Sequence, residues 1–196
     1  MQRASTATAI VAAVGLASAV SAQELIFDLS DIPAGGLLFG DTATIRLSAG
    51  FDPSDYAVAG VRTDFISSVG SEGFSNPRLV APMDGPGTSA GVLSATGVDT
   101  IISGQLNFPT AGIYADPTNP IAFWEIDYTV DTFDVFEVDL RTATSRFDVY
   151  FARDSAISEP QVADLTEASG SFLVNVPAPG TLGLLALGGL ALRRRR

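Results

Sequence analysis

The chain has 196 residues, room for one ordinary domain with appendages, and carries 22 acidic residues against 11 basic ones, with no His and no Cys. Those two absences exclude Ser-His-Asp and Cys-His catalysis within the chain, disulfides and thiolate metal sites, and they remove the commonest zinc ligand. Every basic residue is Arg; setting aside Arg3 and the last four leaves six arginines against all 22 acids, a body of net charge −16 that repels phosphate backbones and excludes nucleic acid as a partner.

In chain order, residues 1–22 read as a signal peptide. Arg3 supplies the positive start, Ala7 to Val20 is an uncharged apolar run, and Val20-Ser21-Ala22 places small residues where a signal peptidase cuts. Cleavage is expected between Ala22 and Gln23.

Residues 23–175 then form one domain by size. No segment shows a long apolar stripe at helical spacing, whereas several alternate with period two. Expected strands are Leu25 to Leu29, Thr42 to Ala49, Ala57 to Ser67, Gly91 to Ala95, Thr100 to Asn107 and Gly170 to Val174. Turn residues separate them, as in Asp52-Pro53-Ser54-Asp55 and Asp116-Pro117-Thr118-Asn119-Pro120. Three further runs, 122–130, 136–141 and 146–151, are expected to pair as an antiparallel meander, with links at 131–134 and 142–145. In the first run Trp124, Ile126, Tyr128 and Val130 face inward. Trp124, Phe123, Phe136, Phe147 and Phe151 are expected to supply much of the core, and Tyr150 to point outward. A one-faced sheet must bury its apolar side, and no helix is available to cover it. The expected fold is therefore an all-β antiparallel two-sheet sandwich, jelly-roll or cohesin-like, with an N-terminal signal helix and a short C-terminal hydrophobic helix. Residues 71–90 and 108–120 read as long loops.

The sharpest constellation is Glu125, Asp127, Glu137 and Asp139. In the meander register Asp127 lies opposite Asp139 and Glu125 opposite Arg141, so all four carboxylates share one wet face. Calcium, which prefers carboxylate oxygens, is the candidate ion there, and no other cofactor is expected. The competing reading is a solvated face neutralised by Arg141 and Arg146. Glu125 and Asp127 would stand roughly 7 Å apart, a spacing compatible with glycoside hydrolysis, but a wet acidic face lacks the dry pocket that raises the pKa of a catalytic acid. The chain is read as no enzyme.

The C-terminal residues have three parts. Val176-Pro177-Ala178-Pro179-Gly180 is a stiff entry without helical character, Thr181 to Leu192 is apolar and uncharged, and Arg193, Arg194, Arg195 and Arg196 close the chain as a stop-transfer cluster. Even counted from Val176 the apolar stretch is about 17 residues, at the short limit for crossing a bilayer core of ~30 Å. This three-part order resembles the PEP-CTERM sorting signal of Gram-negative bacteria, with Ala178 standing where that family has its central Glu. The resemblance implies transient anchoring in the inner membrane, processing by an exosortase-type enzyme and delivery to the cell surface or extracellular matrix, where extracellular polysaccharide is the implied associate. The rival reading for the body is an adhesive module binding carbohydrate or calcium through its loops or its carboxylate face.

Overall fold

A computed structural model of the chain describes residues 23–155 and 160–175. The expected signal segment with Ala22, the sorting motif Val176 to Gly180 and the arginines Arg193 to Arg196 lie outside the described residues. The strands are β1 (Gln23–Asp28), β2 (Thr42–Gly50), β3 (Ala57–Ser67), β4 (Phe74–Leu79), β5 (Val92–Ser94), β6 (Gly97–Gly104), β7 (Ile121–Thr129), β8 (Val135–Tyr150), β9 (Gln161–Val162), β10 (Leu165–Thr166) and β11 (Ser169–Asn175). They form two sheets, ordered β10-β1-β2-β7-β4 and β11-β8-β3-β6-β5, with β9 paired to β8. All pairings are antiparallel except that of β1 with β10. The fold is the expected two-sheet sandwich, and among the described residues it contains no α-helix.

Period-two patterning drives it. In β2, Ala43, Ile45, Leu47 and Ala49 are buried while Thr42, Thr44, Arg46 and Ser48 face out. Phe65 of β3 joins the sheets: its ring lies 6.0 Å from that of Phe27, 5.2 Å from Phe74 and 5.3 Å from Trp124, all three on the opposite sheet. Aromatic and aliphatic rows thus interlock in a dry interior, where removing apolar area from water contributes about 25 cal/mol per Å².

The register slips by one residue at several places, and two of these β-bulges bear on the expected site. Between β2 and β7, Leu47 pairs with Trp124 but Ser48 pairs with Ala122, so Phe123 has no partner on β2. The extra residue lets Phe123 and Trp124 both turn inward, and both are fully buried. Between β3 and β8, Arg62 pairs with Arg146 but Thr63 pairs with Thr144, which leaves Ser145 as the extra residue. Inward positions therefore switch from even numbers (Val138, Leu140, Thr142) to odd ones (Phe147, Val149).

This corrects the expected meander. Residues 142–145 are no turn: residues 135–150 make one continuous strand, and the change of phase marks the bulge. The link at 131–134 is real but crosses between sheets, so β7 and β8 do not pair. Two single residues also differ. Tyr150 does face away from the sandwich interior, yet it is buried, because the segment from Gln105 to Asp116 covers that end of β3 and β8. Its hydroxyl donates to the Gln105 carbonyl, and it packs with Ala57, Ala59 and Ala115. Phe151 lies beyond the end of β8 and is half exposed.

Residues 71–90 are no plain loop either. They contain β4, an edge strand whose Pro77 needs no ladder donor and whose Asn76 takes φ of 56° at an irregularity in the pairing. The 108–120 segment is irregular as expected, apart from one 3-10 turn at Pro109–Ala111.

Candidate functional site

The outer face of the sheet built on β1, β2, β7 and β4 carries a row of alternating charge. Asp28, Arg46, Glu125 and Arg78 are successive cross-strand partners, one from each strand. Alternation puts Arg46 and Glu125 outward for the same reason that it puts Leu47 and Trp124 inward. The Arg46 Nε donates to Glu125 Oε1 at 2.6 Å, and its Nη1 reaches Asp28 Oδ2 at 3.4 Å. From the other side Arg78 holds Glu125 Oε2 with its Nη2 at 2.9 Å, and its Nη1 donates to Asp127 Oδ1 at 3.0 Å. Asp127 is completed by Thr44, which donates to Oδ1, and by the Asn76 amide, which donates to Oδ2 at 2.9 Å.

Every oxygen of Glu125 and Asp127 therefore already accepts a hydrogen bond. For Asp127, desolvation pushes the pKa up, but the donors Asn76, Arg78 and Thr44 outweigh it and hold the carboxyl below its ordinary value. Asp28 is lowered too, first by hydrogen bonds from Ser30 and then by Arg46. Arg46 is raised, chiefly by its bond to Glu125. Asp28 and Asp127 are thus held in their ionised forms by the donors around them. The face is a polar surface on which Arg46 and Arg78 pair with three carboxylates.

The other two expected site residues are elsewhere. Glu137 and Asp139 are exposed on β8, in the opposite sheet, where their partners are Leu173 and Ser171 of β11. The expected four-carboxylate face is thus split into two pairs on different sheets, because β7 and β8 never become neighbours. Asp127 does not face Asp139, and Glu125 meets Arg46 and Arg78 in place of Arg141. Among the described residues, no three or more acidic side chains gather as a group that could hold a metal ion. Trp124 and Tyr128 are buried, and the Trp124 Nε1 donates to the Ala90 carbonyl at 2.9 Å. Tyr56 donates to the Ala115 carbonyl, and Tyr114 lies under the Arg153 guanidinium at 4.0 Å.

Sequence reasoning missed the two arginines that organise the face. Arg46 was findable, since it occupies an outward position of an alternating run. Arg78 was not, because Asn-Pro-Arg in a Gly- and Pro-rich stretch reads as loop.

The sandwich has the fold of bacterial cohesin modules. The cohesin module of a family 33 glycoside hydrolase from Clostridium perfringens superposes with a TM-score of 0.53 at 11% identity, over 81% of this chain and 100% of that one. A type I cohesin from Clostridium thermocellum, solved in complex with a dockerin, gives 0.51 at 13% identity, over 80% and 99%. At such identity the likeness is one of fold. No curated protein matches the chain. The family model for the PEP-CTERM protein-sorting motif matches residues 175–196. The chain is therefore a β-sandwich protein that ends in a PEP-CTERM sorting signal.

Proposed function

We propose that the protein is a noncatalytic, exported cell-surface or extracellular-matrix protein. A signal segment, residues 1–22, takes it across the inner membrane and is cut between Ala22 and Gln23. The tail arrests it there, an exosortase-type enzyme processes it near Val176 to Gly180, and the sandwich is delivered outside as an adhesive module. Arg193 to Arg196 stop transfer on the cytoplasmic side.

One observation carries this reading: the sorting motif starts at Asn175, the last residue of β11, so domain and signal abut with no spacer. The cohesin likeness supports adhesion, since one such module is found bound to a dockerin protein. The lack of His and Cys supports a noncatalytic role. Association with extracellular polysaccharide follows from the resemblance of the tail.

Pulse-labelling in the native cells tests it. A full-length membrane-bound form should chase into a shorter form outside the inner membrane, and replacing Arg193 to Arg196 by Ser should abolish the membrane-bound stage. A single cytosolic form of constant length would contradict it.

A further inference from the structure

Leu38, Phe39, Phe133, Val135 and Leu173 are large apolar side chains, 46%, 48%, 55%, 65% and 48% exposed. They gather at one end of the sandwich. Phe39 stacks on Phe133 with ring centroids 4.1 Å apart. Phe133 lies two residues before Val135 at the start of β8, and Val135 is diagonal to Leu173 across the β8–β11 pair. The backbone that presents them is tied down. Leu38 to Asp41 form a tight turn, closed by the Asp41 N–H donating to the Leu38 carbonyl and by the Leu38 N–H donating to Asp41 Oδ2. Gly40 takes φ of 85° at the third position, which leaves Phe39 at the exposed corner. Turn corners are normally polar, so an apolar corner stacked on a second exposed aromatic has no account in the folding of the domain.

The same end is where the sorting segment departs. Asn175, the last residue of β11, is the direct partner of Val135, and its N–H donates to the Leu37 carbonyl next to Leu38. Only Val176 to Gly180 separate it from the apolar run that begins at Thr181. Five residues at full extension reach about 17 Å, and the headgroup layer is itself roughly 5–8 Å deep. With the run in the bilayer, this end of the sandwich is confined to the lipid surface.

We infer that the Leu38, Phe39, Phe133, Val135 and Leu173 patch seats in the headgroup layer of the membrane while the C-terminal segment is inserted. The inference rests on the proposed membrane stage of the tail. The patch acts as a foot that sets the orientation of the domain, with Asn175 and the sorting motif held at the interface where a membrane-embedded processing enzyme works. Asp131, Asp134 and Asp41 flank it, and the body is strongly acidic. The foot therefore holds by apolar contact alone and loses its grip on an anionic surface once the tether is cut.

The test uses the full-length chain in phosphatidylcholine vesicles. Because the chain has no Cys, single probes are placed by Leu38→Cys, Phe133→Cys, Thr118→Cys (on the turn leading into β7, at the opposite end) and Leu185→Cys in the apolar run. Each carries an environment-sensitive fluorophore, and quenching by bromine-labelled lipid is read. The inference expects quenching at positions 38, 133 and 185, none at 118, and about tenfold less quenching at 133 in a Leu38→Ser/Phe39→Ser background. Quenching at 185 without quenching at 38 and 133 overturns the foot and leaves the tail reading intact, and self-association through the patch would give the same result. No quenching at 185 removes the tail reading, and with it the foot.

Discussion

Arg46 on β2 and Glu125 on β7 are direct cross-strand partners, and the guanidinium Nε donates to the carboxylate at 2.6 Å on a face shared with Asp28 and Arg78. Glu125 is the pivot, because its side chain is 14% exposed and both its oxygens are held by arginine. Glu125→Ala should lower the unfolding free energy by about 1–2 kcal/mol, modest because both arginines keep substantial solvent. Urea unfolding checks this. An Arg46→Ala/Glu125→Ala cycle should show a coupling below about 1 kcal/mol that shrinks further in high salt.

The same saturation of oxygens bears on calcium. Binding between Glu125 and Asp127 would require Arg78, Thr44 and Asn76 to be displaced. Millimolar calcium should leave the melting temperature within about 1 °C, whereas a site filled a hundredfold above its Kd would stabilise by about 2.7 kcal/mol and raise it by several degrees.

Acid should weaken the fold through Asp28 and Asp127. Both have folded-state pKa values below the ordinary 3.8, so each binds its proton more readily when unfolded. Their contribution is fully present above that value and is lost as pH falls through the folded pKa. Asp55 acts oppositely: desolvation raises its pKa, so its protonated form is favoured in the fold and stability falls as pH rises past 3.8. Urea midpoints between about pH 5 and pH 2 should show a net decline, and Asp127→Asn should flatten it.

The bulge at Ser145 makes a sharper prediction. Deleting Ser145 removes the extra residue, so Thr144, Arg146 and Phe147 follow in regular alternation and Phe147 and Val149 keep their inward places. The deletion should leave the protein folded and cost no more than about 2 kcal/mol, because no core side chain is expelled and no charge is buried; loss of folding would contradict the bulge. Ser145→Ala keeps the count and loses only a 3.2 Å bond to the Arg62 carbonyl, so it should cost under about 1 kcal/mol. Emission from Trp124, the one tryptophan in the chain, reports both transitions.

Most of the sandwich was legible because alternation is a local signal. Ala57–Ser67 was read to the residue, and Trp124, Ile126, Tyr128 and Val130 do line one inner face. Pairing was not legible. A change of phase in a period-two pattern has two physical causes, a turn or one extra residue, and only the neighbouring strand distinguishes them. Reading the phase change at Ser145 as a turn made β8 into two strands, set it beside β7, and so assembled four carboxylates that the fold keeps on separate sheets. β4 was hidden by Asn76-Pro77, which an edge strand tolerates and a central strand would not. The charge row itself needed Arg78, and its place depends on that edge strand.

The central claim, that export and sorting govern this protein, is tested most directly by intact-mass spectrometry of the protein recovered from its native cells. The account predicts a polypeptide that starts at Gln23 and ends near Val176. A chain beginning at the signal segment and still carrying Arg193 to Arg196 would contradict it.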